Sequence, residues 1–250
     1  MIRFDIMTLF PDLVTTVLGE SIIGRAQKSG AIEVHAHNIR DYSEDKHRRV
    51  DDTPYGGGMG MLMAAPPIYN CYKAVCDMQS EGASRHVIYM SPRGAKFDHK
   101  KAQELATYEN VIILCGHYEG IDSRIIDEIV DEEISIGDYV LTGGELPACI
   151  VTDAVARLVP GVLSDDECFE KESIASGLLE YPQYTRPYEF HGVKVPDVLI
   201  SGHHENIEKW RLEQSLEITK NMRPDLYEEW ERAHPRIEKK KAARRKGADA

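Results

Sequence analysis

Three glycine-rich turns, each led in by an apolar run, constrain this chain more than any other feature. Tyr89-Met90-Ser91-Pro92-Arg93-Gly94 grows out of the run HVIYM, and Cys115-Gly116-His117-Tyr118-Glu119-Gly120 ends the run NVIILC. The third, ISIGDYVLTGGELP from Ile134 to Pro147, carries Gly137, Gly143 and Gly144. Glycine allows backbone angles and close approaches that a side chain would forbid. One such turn needs no ligand to explain it. Three in series read as loops converging at one edge of a parallel sheet, where open α/β sheets bind their ligands.

The remaining chain supports that class. Strand-like runs alternate with helix-like ones from Pro66 to Val159: helix Pro66–Met78, strand Arg85–Met90, helix Asp98–Ala106, strand Val111–Cys115, helix Ser123–Val130, strand Glu133–Ile136 and helix Glu145–Val159. This order implies a mostly parallel α/β sheet. Ahead of it, Ile2–Leu9 alternates as a half-buried strand, two short helices follow, and Ile32–Asn38 alternates again. Leu146, Ile150, Ala154 and Leu158 make one stripe on the last helix. His35 and His37 share a strand face, but a metal site needs a third ligand that the sequence does not offer. At 250 residues the chain builds a core without staples. Its five cysteines are odd in number and scattered, which points to reduced thiols in the cytoplasm. No apolar stretch approaches the ~18 residues of a membrane span, and MIRFDIMTLF lacks the marks of a signal peptide.

Residues 40–60 form a polar loop in which Arg40, Lys46, His47, Arg48 and Arg49 precede Gly56-Gly57-Gly58-Met59-Gly60. The glycines fit neither the GKS/T ending of a phosphate loop nor the GxGxxG register. What remains is a basic, glycine-rich loop suited to hold a nucleic-acid backbone or to shield a site, or a mobile surface loop. The net charge of −12 is unevenly spread: residues 231–246 hold eight basic residues against Glu231 and Glu238. That tail can track phosphates or stay solvated. The expected division is a catalytic α/β domain over 1–161, a flexible acidic linker over 162–176, and a small mainly helical domain over 177–250. In the last, Ile207, Trp210, Leu212, Leu216 and Ile218 are available for a core.

Eight ordered motifs then carry a resemblance: PYGGGMGM (Pro54–Met61), YMSPRG (Tyr89–Gly94), LCGHYEGID (Leu114–Asp122), SIGDYVLTGGELPA (Ser135–Ala148), DAVARLVPGVL (Asp153–Leu163), GLLEYPQYTRP (Gly177–Pro187), VPDVLISGHH (Val195–His204) and WRLEQSL (Trp210–Leu216). Over residues 1–230 the chain resembles the bacterial tRNA (guanine-N1)-methyltransferases. The resemblance implies a SPOUT-type α/β domain with a deep trefoil knot, a cytoplasmic homodimer sharing its active sites, and tRNA gripped by the C-terminal domain. It implies S-adenosylmethionine held by Tyr89, Met90, Ser91, Pro92, Gly94, Gly116, Ser135, Ile136, Gly137, Asp138, Tyr139, Val140, Leu141, Gly143, Gly144 and Pro147. Magnesium comes with it as a helper that Glu119 and Glu172 could bind loosely, although no ligand spacing demands a metal. A different knotted methyltransferase, acting on ribose or ribosomal RNA, would share the cofactor loops but lack GLLEYPQYTRP and WRLEQSL.

The chemistry assigns roles. Guanine N1 carries a proton and is a weak nucleophile until a carboxylate within reach removes it. Negative charge then develops on O6, where an arginine stabilises it. The family pattern places these groups at Glu172, where aspartate is usual, and Arg157; Asp165 and Asp166 are alternative bases in the same linker. Glu119 resembles the acid on the guanine's Watson–Crick edge. Tyr118 and Tyr184 are substrate contacts, and Tyr184 is placed to stack on a base. His117 stands where arginine is frequent, Arg93 where glutamine is, and Gln183 where histidine is.

Overall fold

A computed structural model describes residues 1–163 and 173–235. The chain divides into two compact units, Met1–Asp166 and Glu167–Ala250. The first runs through β1 (Ile2–Thr8), α1 (Pro11–Leu18), α2 (Ser21–Ser29), β2 (Ile32–Asn38), the short strands β3 (Asp51–Asp52) and β4 (Leu62–Met63), and α3 (Ala65–Met78). It continues with β5 (Arg85–Lys96), α4 (His99–Leu105), β6 (Asn110–Cys115), α5 (Ser123–Ile129), β7 (Glu132–Ser135) and α6 (Glu145–Ala156).

Among the described residues, five of these strands pair in parallel in the order β2-β1-β6-β5-β7. Helices cover both faces, so the central strands read as continuous apolar runs. Along β6, Val111, Ile113 and Cys115 enter the core shared with α1, α2, α4 and α6, while Ile112 and Leu114 enter the core shared with α3 and α5. The mixed α/β architecture with a mostly parallel sheet is as the alternating runs require.

Two expectations about faces are corrected. The alternation in β1 suggested a half-buried strand, yet six of its seven residues are buried, because β1 lies between β2 and β6. Asp5 therefore sits inside, and its carboxylate accepts hydrogen bonds from Arg3 Nε and Nη2 (2.9 Å each), His37 Nε2 (2.7 Å) and Gln79 Nε2 (2.8 Å). His37 is thus spoken for by Asp5, and His35 lies 3.3 Å from Glu33. The second correction concerns α6. Leu146 and Ile150 are 50% and 48% exposed, and the helix buries Ala148, Cys149, Val151, Thr152, Val155 and Ala156 instead. Small and β-branched residues allow α6 to lie close to the sheet, which leaves Leu146 and Ile150 outward while Ala154 and Leu158 pack against the core.

Burial alone would raise the Asp5 carboxyl, but the bonds from His37, Arg3 and Gln79 outweigh it and hold the group at about 2, below its ordinary 3.8. Its folded value is depressed, so its stabilisation is complete above the unfolded value and fades as pH falls from about 4 to about 2. Asp5→Asn is expected to lower the unfolding free energy at neutral pH by roughly 1.5–3 kcal/mol, the scale of hydrogen bonds to a charged group. Urea titrations at neutral and at acid pH check this: the deficit against wild type should shrink in acid.

The second unit contains the hairpin β8 (Glu189–Phe190) and β9 (Val193–Lys194), α7 (Asp197–Ile200), α8 (His204–Met222) and α9 (Pro224–Ala233). Residues 173–178 form a turn, with Ile174 N–H donating to the Leu178 carbonyl (3.0 Å). The apolar residues expected as the core of α8 are at most half-buried and Leu212 is exposed. The buried positions are Ser215 and Thr219. Thr219 Oγ1 accepts from Leu179 N–H (2.8 Å) and donates to the Ser215 carbonyl (2.6 Å). A small-residue seam on α8 is what lets the 178–179 segment close on it.

Candidate functional site

The three glycine-rich turns meet at one edge of the sheet, one as an arch within β5 and the others after β6 and β7. β5 pairs with β7 as far as Met90↔Ile134 and resumes at Ala95↔Ile134, so Ser91–Gly94 arches out of the sheet. The turn after β7 reaches the turn after β6: Gly144 N–H donates to the Gly116 carbonyl (2.9 Å), and His117 and Gly143 form an antiparallel bridge. β5 lies between β6 and β7, so this contact crosses β5.

Between the turns lies a cleft of about 810 Å³, within the range of small-molecule sites. All the residues expected to hold the cofactor line it except Gly94 and Asp138. A side chain on Gly94 would lie 2.4 Å from the Glu133 carbonyl, so this glycine closes the arch onto β7. The Asp138 carboxylate turns out to Lys96 Nζ (2.6 Å). Tyr118 and Glu119 line the same cleft. Glycine is needed on its walls for space: a Cβ on Gly116 would meet the Tyr89 hydroxyl at 2.7 Å, and one on Gly144 the Cys115 Cα at 2.8 Å. Burial pushes the Tyr89 phenol up, which keeps it a neutral donor.

Several lining residues were not among those expected. His117 packs 5.0 Å from Phe10 and 4.9 Å from Tyr118, and its buried Nδ1 has no hydrogen-bond partner among the described residues. Behind the wall, buried Glu145 accepts from Thr8 Oγ1 (2.8 Å), and that hydroxyl accepts from Phe10 N–H (2.9 Å). An acid directly after Gly-Gly at a helix start signals a first-turn carboxylate favoured by the helix dipole. Its buried partner on β1 could not be read from the sequence. Burial, reinforced by Glu145, pushes the Cys149 thiol up to about 11 and the Cys115 thiol well above its ordinary range. Neither supplies a thiolate nucleophile at neutral pH.

Of the remaining expected residues, Arg157 does not line the cleft. Arg157 caps the far end of α6, whose near end is Gly144; at 1.5 Å per residue it stands ~20 Å away. Tyr184 belongs to the second unit, its ring 6.4 Å from that of Trp210. Glu172, Asp165 and Asp166 lie outside the described residues, as does most of the basic tail. In the 40–60 loop, Arg48 and Arg49 pair with Asp41 (2.9 Å) and Asp45 (2.8 Å), so the cluster is less positive than its composition suggested. Among the described residues no group of three or more His, Cys, Asp and Glu side chains could hold a metal ion.

The walls fit S-adenosylmethionine. Met90, Ile134, Ile136, Leu141 and Pro147 make part of the wall apolar, as a flat adenine would need. The absence of side chains at Gly116, Gly137, Gly143 and Gly144 lets a ligand lie against the main chain, and the orphaned His117 Nδ1 is a polar group in the wall. Gly144→Ala forces backbone apart, an overpacking that costs about 1–3 kcal/mol. It is expected to weaken S-adenosylhomocysteine binding roughly ten- to hundredfold, measured calorimetrically. Gly82→Ala, at a turn with open space around it, is the control and should bind normally.

Residues 2–229 match the family described as tRNA (Guanine-1)-methyltransferase TrmD. A tRNA (guanine-N(1)-)-methyltransferase of Ruminiclostridium cellulolyticum is 61% identical over 227 residues, covering 90% of this chain and 96% of the relative. One of Lachnospira eligens is 58% identical over 231 residues, covering 92% and 97%. One of Clostridioides difficile is 55% identical over 225 residues, covering 90% and 97%.

Proposed function

The chain belongs to the tRNA (guanine-N1)-methyltransferase family, and we propose that it transfers a methyl group from S-adenosylmethionine to N1 of guanosine 37 of tRNA. The observation that carries the reading is the glycine-walled cleft at the arch of β5 and the ends of β6 and β7, with Glu119 on its wall. When bound, S-adenosylmethionine supplies an electrophilic methyl on a sulfonium. The chain's part is to align the guanine in line with that methyl and to remove the N1 proton.

In this reading Glu119 accepts from the N2–H of the guanine's Watson–Crick edge and fixes its orientation. Glu172 takes the N1 proton. Arg157 holds the charge that grows on O6. Tyr118 and Tyr184 contact the substrate RNA, and the flipped base enters the cleft from outside the stack. Magnesium is a helper ion that Glu119 and Glu172 could bind loosely.

Arg157 belongs at the cleft by its role yet lies ~20 Å along α6 from it. We therefore propose a homodimer in which one subunit's Arg157 serves the other's cleft. Support comes from the apolar face that α1 and α6 expose together: Phe10, Leu13 and Val17 beside Leu146 and Ile150. Such a patch on a folded chain marks an interface. The same proposal includes the trefoil knot, supported by family membership and by the crossing of the turn after β7 over β5. It also includes the division into a catalytic domain (1–161), a linker (162–176) and a tRNA-binding domain (177–250). No helix among the described residues is long and apolar enough to cross a membrane, and a cytoplasmic location is part of the reading.

The test is transfer of labelled methyl from S-adenosylmethionine to an unmodified tRNA transcript. Incorporation that disappears when guanosine 37 is replaced by adenosine supports the reading. Equal incorporation into both transcripts would overturn the choice of nucleotide.

A further inference from the structure

The run PYGGGMG is absorbed by neither nucleotide motif, yet it is built against the cleft. Its flanks are held by the β3–β4 pair, Asp51↔Met63 and Asp52↔Leu62. From there the backbone is sewn to the turn that carries Glu119. Glu119 N–H donates to the Met61 carbonyl (3.0 Å), Met63 N–H to the Gly120 carbonyl (2.9 Å), and Asp122 N–H to the Met63 carbonyl (3.0 Å). Pro54, Tyr55 and Leu62 thereby become part of the cleft wall.

The glycines of the run do different work. Gly56 and Gly57 have φ of +87° and +79°, and a Cβ on either would meet nothing within 4 Å. They serve the turn. Gly60 has φ of +86°, and a Cβ there would lie 2.4 Å from Glu119 Cγ and 2.8 Å from its Oε1. The Glu119 side chain thus lies directly on the bare Cα of Gly60. Among the described residues no side-chain hydrogen bond or ion pair holds the Glu119 carboxylate, and its close approach to Gly60 is the constraint on it that the structure shows.

We propose that Gly60 is a positioning residue for the methyl-transfer reaction: the missing side chain at 60 is what allows Glu119 to lie in the cleft at the height of the target guanine. The PYGGGMG loop is then the wall that sets where the base-reading carboxylate points. This rests on the reading of Glu119 as a guanine contact.

The experiment is a double-mutant cycle of Gly60→Ala and Glu119→Ala, with Gly57→Ala as a variant of matched backbone strain but no collision. Methyl transfer to tRNA, S-adenosylhomocysteine affinity and melting temperature are measured on each full-length protein. A misplacement of about 1 Å at a reacting centre can cost on the order of 10²-fold. Gly60→Ala should therefore lose about that much in kcat/KM on tRNA while keeping its affinity for S-adenosylhomocysteine, and Gly57→Ala should lose far less. Added to Glu119→Ala, the Gly60 substitution should cost little more, because the group it displaces is already gone. The double variant should also recover the melting temperature of Gly57→Ala, since the colliding Cγ has been removed. Equal activity of Gly60→Ala and Gly57→Ala, losses that multiply in the double variant, or no thermal recovery would each overturn the inference. A damaged Glu119→Ala beside a harmless Gly60→Ala sinks the positioning role alone; a fully active Glu119→Ala removes the guanine contact and the inference with it.

Discussion

Arg157→Ala is expected to lower methyl transfer by about 10²–10³-fold, the usual cost of removing a group that stabilises a developing oxyanion. Cofactor affinity should be unchanged, because in this reading Arg157 meets O6 of the guanine and not the cofactor. Its separation of ~20 Å along α6 from Gly144 makes a sharper claim. If the arginine acts from one subunit on the cleft of the other, Arg157→Ala and Glu119→Ala damage complementary parts of one composite site. Mixed and reassociated, the two inactive proteins form heterodimers in which one of the two sites has both residues intact. Activity should then rise well above that of either parent. Parents that stay dead in every mixture, while exchanging subunits, would place the arginine and the acid in the same chain's site.

Glu172→Gln is expected to cost at least ~10²-fold, the scale of a general base. The amide keeps the size of the side chain and removes only its capacity to take a proton. The pH profile separates this from lost tRNA binding. In the wild type, single-turnover rates should climb as the carboxyl ionises; in the glutamine variant that limb should vanish. Should Glu172→Gln keep its rate while Arg157→Ala loses it, the base is Asp165 or Asp166.

What could be read in advance followed from local chemistry. HVIYM and NVIILC are apolar on both faces because β5 and β6 are covered on both faces, and the glycine-rich turns behind them mark the sheet edge where the cleft lies. Gly94 and Asp138 sit within those turns but face away from the cleft, since a turn's sequence does not say which of its residues point inward. Features that depend on distant partners were out of reach. Nothing local says that Asp5 is buried; its reason is the cluster of Arg3, His37 and Gln79, which comes from three elements. Which face of α6 is buried was out of reach for a related cause. Helical spacing identifies an apolar stripe, but Leu146 and Ile150 face outward while smaller residues meet the sheet. Likewise a two-residue ladder such as β3–β4 leaves no periodic signal, so the sequence left open whether the glycine-rich loop shields a site or is a mobile surface loop. In each case the missing information is a contact between segments far apart in the chain.

The most direct measurement is to map the methyl group on the product. A tRNA transcript treated with the enzyme and S-adenosylmethionine is digested to nucleosides for mass spectrometry and, in parallel, copied by reverse transcriptase. A methyl on N1 blocks Watson–Crick pairing, so the account predicts 1-methylguanosine as the new nucleoside and a single stop at position 37. A methyl on a ribose, or a stop at another guanosine with position 37 read through, would contradict it.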